Sequence, residues 1–156
     1  MSLVSDIENI VNTLYPLSTF VLSSRFKASR NSFDLNKTSY PLIVLDNEIT
    51  KTASIQKNNN LLKDSQILLS VLDKKPKEEF ETDVIINEIQ AVAEIMADKI
   101  MVNIYQLDAI RLSGGSNQTY KITPLFNEYI TNLCGVVIDA SVKYNSTISF
   151  CKNQQT

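Results

Sequence analysis

VVIDASVKY, residues 136–144, alternates with a two-residue period: Val136, Ile138, Ala140, Val142 and Tyr144 fall on one side, Val137, Asp139, Ser141 and Lys143 on the other. A two-residue period with one apolar side is that of a β-strand resting on a core. The longest helical pattern is TDVIINEIQAVAEIMADKIMVNIYQLDAIR, residues 82–111, where Ile85, Ile89, Val92, Met96, Ile100, Ile104 and Leu107 recur every three or four residues. Thr82 suits its N-cap, and Gly114 and Gly115 beyond it allow the backbone to reverse. One apolar stripe and one apolar strand face predict a helix lying on a sheet.

Upstream, Leu3, Ile7, Ile10, Val11 and Leu14 make a second helical stripe, capped by Ser2 or Ser5 and stopped by Pro16. Residues 19–26 read as a strand and 40–46 as a strand covered on both faces, since Leu42, Ile43, Val44 and Leu45 are continuous. Asp46 and Asn47 suggest a tight hairpin into a half-exposed strand over 48–57, and Asn58, Asn59 and Asn60 a turn into another strand over 66–73. A strand over 119–123 broken by Pro124 precedes the final one. The fold class is therefore α+β: an antiparallel or mixed sheet of about five to six strands, packed on one face by an N-terminal helix and a long central helix. The whole chain, residues 1–156, reads as a single domain with a polar loop at about 27–39 and a polar C-terminal tail at about 145–156.

With 156 residues, 44% of them hydrophobic, the chain can build a core without a metal or disulfide staple. A net charge of -2 and scattered basic residues argue against duplex nucleic acid as the main ligand. Lys74, Lys75 and Lys77 come nearest to a cluster, but Glu78, Glu79 and Glu81 follow directly, as in a solvated mixed-charge loop. No apolar run reaches the length of a membrane span, and Asp6 and Glu8 interrupt any export signal, which points to synthesis in a cytoplasm. Cys134 and Cys151 are expected as thiols, although pairing is open to them.

Catalytic chemistry is sparse. There is no histidine, which removes Ser-His and Cys-His activation and imidazole metal sites. Carboxylates pair in sequence at Asp6 with Glu8 and at Glu94 with Asp98, and the second, an i,i+4 pair on a helix whose opposite face is apolar, reads as a solvated helix surface. Ser113, Gly114, Gly115 and Ser116 lack the Gly-Lys-Ser/Thr ending of a phosphate loop and follow a helix instead of preceding one. Cys134 has no basic sequence neighbour to activate it, so it reads as a small buried hydrophobe. Most of the six tyrosines are expected at the core's edge with their hydroxyls at the surface, and a few at a subunit contact, where tyrosine is favoured.

Two local stretches, in the order helix, strands, helix, strands, carry a resemblance. One is Tyr40-Pro41-Leu42-Ile43-Val44-Leu45-Asp46 followed by a hairpin strand. The other is Ile122-Thr123-Pro124-Leu125-Phe126, a polar linker, then Leu133-Cys134-Gly135-Val136-Val137-Ile138-Asp139-Ala140-Ser141-Val142, with a strand and an aliphatic helix between the two stretches, from Gln66 to Arg111. In these the chain resembles the tail terminator, or tail-completion, proteins of tailed bacteriophages. The resemblance implies a virion structural protein of the neck: a homo-hexameric ring, assembled in the host bacterial cytoplasm, that caps the tail tube and joins it to the head connector. Genomic DNA would pass through its lumen without specific binding. It implies no enzyme activity, no catalytic residue, no cofactor, no metal and no membrane partner. By that analogy Asn58, Asn59, Asn60, Lys74, Lys75, Lys77, Ser113 and Asn117 are candidate ring-to-ring contacts.

Two other readings stay open. A small cytoplasmic adaptor or binding module would present an exposed apolar groove. A carboxylate-based enzyme without histidine would bring Asp46 and Asp139 together in one pocket.

Overall fold

The computed structural model of the chain describes residues 2–22, 39–46, 51–57, 59–74, 82–112, 119–128 and 133–146. Helix α1 (Leu3–Leu14) opens on a reciprocal cap, in which the Ser2 hydroxyl accepts from the Ser5 backbone N–H at 3.2 Å and the Ser5 hydroxyl from that of Ser2 at 3.2 Å. Such a box satisfies two of the donors that a helix start leaves unpaired. Strands β1 (Thr19–Leu22), β2 (Leu42–Asp46), β3 (Lys51–Ile55) and β4 (Leu61–Lys74) follow. Helix α2 (Thr82–Tyr105), the short α3 (Asp108–Arg111), β5 (Tyr120–Glu128) and β6 (Leu133–Asn145) complete the described elements.

The strands form one mixed sheet in the order β1-β2-β4-β6-β5, with β3 also on β4. Only β1 and β2 run parallel. Both helices pack on the same face, where Ile7 and Val11 of α1 and Ala97, Ile100 and Ile104 of α2 meet Ile43, Leu69, Val136, Ile138 and Val142 of the sheet. The alternation that begins at Val136 is thus the strand's helix-facing side. On the opposite face Leu42, Val44, Leu72 and Leu133 make a smaller buried cluster, so β2 is covered on both sides.

Four expectations need correction. Among the described residues β2 and β3 do not pair with each other as a hairpin would; both pair antiparallel with β4, β2 along residues 68–72 and β3 along residues 61–65. They are successive segments on one edge of a strand that reads only in part from sequence, because Leu61–Ser65 lacks a clean apolar alternation. β5 continues through Pro124 to Glu128: it is an edge strand, where a missing N–H leaves no neighbour unpaired. The central helix stops at Tyr105, and Leu107 is extended (φ -62°, ψ 138°) before α3 begins. In an unbroken helix Ala109 would fall seven residues on from the exposed Val102, on the outer face; after the break Ala109 and Ile110 are both buried.

The fourth correction concerns which side of α2 is buried. Ile86, Gln90, Ala93, Ala97, Ile100, Met101 and Ile104 face the core, whereas Val92, read from sequence as part of the core stripe, is 57% exposed. Ile85, Ile89 and Met96 are half-buried. The two alanines let the helix approach the sheet closely, and Gln90 spends its amide on the Leu125 carbonyl, 3.1 Å away on β5.

Candidate functional site

The candidate contacts read from sequence do not form one patch. Asn59 and Asn60 sit in the β3–β4 turn, with Asn59 at φ 63°, a left-handed conformation that asparagine tolerates. The Gln56 N–H donates to the Asn60 carbonyl and the Asn59 N–H to the Gln56 carbonyl, each at 2.9 Å. Lys74 lies at the other end of β4, its Nζ 5.4 Å from the Tyr40 ring centre. Fourteen strand residues put these two ends about 45 Å apart. Asn58, Lys75, Lys77, Ser113 and Asn117 lie outside the described residues, as do Asn47, Gly114, Gly115, Cys151 and most of the expected polar loop and tail.

Asp46 and Asp139 both pair across from Leu68, so they share a row on the face away from the helices. Two strand spacings separate their backbones by about 10 Å. Asp139 accepts a 2.9 Å hydrogen bond from the Gln66 amide, and Asp64 on the same face accepts one from the Ser141 hydroxyl. Gln66, Lys121, Thr123, Ser141 and Lys143 on that face are exposed. The two carboxylates thus belong to an open, polar sheet surface. Among the described residues no group of acidic or cysteine side chains has a metal-binding arrangement, and no helix is long and apolar enough to cross a membrane. Cys134 is fully buried on β6.

Asp98, expected as a solvated helix position, instead ties α2 to the sheet edge. It accepts a 2.6 Å hydrogen bond from the Tyr120 hydroxyl of β5. Burial, together with that bond and the carboxylate's charge, pushes Tyr120 up to about 12. The Tyr120 ring stacks on Tyr105, with centroids 6.4 Å apart. The Tyr15 and Tyr105 hydroxyls are buried without a hydrogen-bond partner among the described residues, contrary to the expectation of surface hydroxyls, and burial raises both. Asp6 is also buried, and desolvation lifts its carboxyl above the usual range.

The surface that stands out is the outer side of α2. Val84, Val92, Ile95 and Val102 are each more than half exposed on one helix. Beside them opens a groove of about 270 Å³ between α2 and the end of β4, lined by Pro41, Val71, Asp73, Ile85, Ile89 and Met96 among others. An apolar helix flank next to an apolar groove is the kind of surface that proteins cover with a partner. Its signal in the sequence is a second periodicity: Ile85, Glu88, Val92, Ile95, Lys99 and Val102 are spaced 3, 4, 3, 4 and 3 residues apart. That is a seven-residue repeat, distinct from the stripe that meets the sheet.

No protein-family model matches the chain, and no curated protein matches it. The structure defines an α+β protein with a mixed six-stranded sheet and helices on one face.

Proposed function

We propose that this chain is a structural assembly protein of a tailed-bacteriophage virion, a tail terminator of the neck. In this role it works as a homo-hexameric ring that caps the tail tube and docks to the head connector, with DNA passing through and no turnover. The observation that carries an assembly role is the apolar outer flank of α2, which a lone copy leaves in water. The resemblance in the Tyr40–Asp46 and Ile122–Val142 stretches supplies the phage context. Mixing the purified chain with tail tube protein, and separately with connector protein, tests it by light scattering and electron microscopy. Rings that appear on or with the tube are expected; indifference to both proteins would sink the proposal.

The groove favours a second reading, a binding module that takes an apolar segment of another protein between α2 and β4. Under that reading the chain works without forming a ring. Ile89→Asp, at the groove, then abolishes partner capture, and tube protein has no effect on assembly.

A further inference from the structure

The outer flank of α2 is patterned as well as apolar. Its seven-residue repeat places Ile85, Glu88, Val92, Ile95, Lys99 and Val102 along one seam, and the order is self-complementary when read backwards. Two copies laid antiparallel, with the midpoint between Ala93 and Glu94, bring Ile85 opposite Val102 of the second copy, Glu88 opposite its Lys99, and Val92 opposite its Ile95. Antiparallel helices pair the two repeat positions in this crossed way, and a strict seven-residue repeat holds the seam over its length. Parallel alignment in register would set Glu88 against Glu88 and Lys99 against Lys99. The charges therefore select the antiparallel arrangement.

We propose that this flank pairs two copies of the chain about a two-fold axis through the middle of α2. Glu88 and Lys99 are exposed, and neither takes an ion pair within the chain among the described residues, so both are available to a second copy. Within one helix they lie about 17 Å apart along the axis, too far to satisfy each other. Ile89 and Met96 flank the seam on the groove side and extend its apolar area towards Pro41 and Val71. The seam is about 26 Å long, the scale of a weak dimer and not of an obligate one. The contact is isologous and closes at two copies, so it neither requires the hexameric ring nor generates one. It describes the free protein, and a ring that kept it would be doubled.

Sedimentation velocity of the full chain over a concentration series up to about 1 mM tests the proposal. The chain is compared with Glu88→Lys, Lys99→Glu and the double reversal E88K/K99E. Each single reversal sets like charges opposite one another at two symmetric points and raises the dimer dissociation constant by about tenfold or more. The double reversal returns it to within about threefold of the parent. Rescue is the signature, because a residue acting only within its own helix gains nothing from a change 11 positions away. A chain that stays monomeric throughout, an oligomer that the single reversals leave unmoved, or a double reversal that fails to restore pairing each overturns it. Far-UV circular dichroism checks that all four proteins are equally folded. A ring forming on tail tube protein bears on the function and leaves this result untouched.

Discussion

The two sides of α2 are made of different material. The inner side carries Ile86, then a glutamine at 90 and alanines at 93 and 97, then Ile100, Met101 and Ile104. The outer side carries Ile85, Val92, Ile95 and Val102, bulkier on average than the inner residues at the same level. Aliphatic bulk at these levels favours the outer side, although Glu88 and Lys99 interrupt it. Close approach decided otherwise: a helix lying on a twisted sheet needs short side chains where the backbones come nearest, and Ala93 and Ala97 provide them. The outer residues are then left for a contact that the single chain does not make.

Substitutions on the two sides should separate the stability of the fold from association. The strongest break comes from beneath the helix, in the sheet. A Cβ at Gly135 would run into the Val71 carbonyl oxygen on β4 and crowd the Leu72 backbone, so Gly135→Ala is expected to cost about 3 kcal/mol or more in urea unfolding, or to prevent folding. Next comes the inner stripe. Ala97→Leu forces extra carbons between helix and sheet at a fully buried position and should cost about 1–3 kcal/mol by the same measurement.

The flank between inner and outer sides gives a smaller effect. Tyr120→Phe removes the donor to Asp98 and is expected to cost about 1 kcal/mol. In the parent chain, ultraviolet titration should find one tyrosine ionising at about 12. A phenol raised from 10.0 in the folded state holds its proton where the unfolded chain has lost it. Its stabilising contribution is therefore complete below pH 10 and disappears as pH rises towards 12. Asp98→Asn should bring that ionisation down while leaving it above 10, because burial is the larger cause.

The smallest effect on stability belongs to the outer side. Val92→Lys should change unfolding free energy by no more than about 0.5 kcal/mol while abolishing self-association. A large loss of stability there would show that the outer face belongs to the fold and would erase the distinction drawn between the two sides.

How far the fold was legible follows from the same physics. The β6 alternation read correctly because a strand with one buried face has only two choices of side. The continuous apolar run of β2 likewise announced burial on both faces. The existence of α2 was legible, but its orientation was not, because two apolar stripes overlap and the three-to-four spacing fits both. The β2–β3 relation failed for a different reason. An Asp-Asn pair signals a turn equally well whether the chain reverses or merely shifts along the same neighbour, and only the ladder on β4 distinguishes them. Of the candidate contacts, the Asn59 turn was legible from turn chemistry, while its separation from Lys74 by the length of β4 was not, since the first five residues of that strand carry no strand pattern. The outer seam was present as a seven-residue repeat containing one glutamate and one lysine, which in isolation looks like an ordinary solvated helix face.

β4 pairs with three strands, and its longest ladder is with the last described strand of the chain. The ends of that ladder, Leu62 with Asn145 and Lys74 with Leu133, join residues roughly sixty to eighty positions apart. As the chain is synthesised, β4 can close its hairpin on β3 and its ladder on β2 early. Its other edge must wait until residues 133–145 have left the ribosome. Until then α2 has only part of a sheet to lie on, and its inner side is incompletely covered. The centre of the molecule is thus the last part to be completed, and residues 75–132 must be made while it stands open.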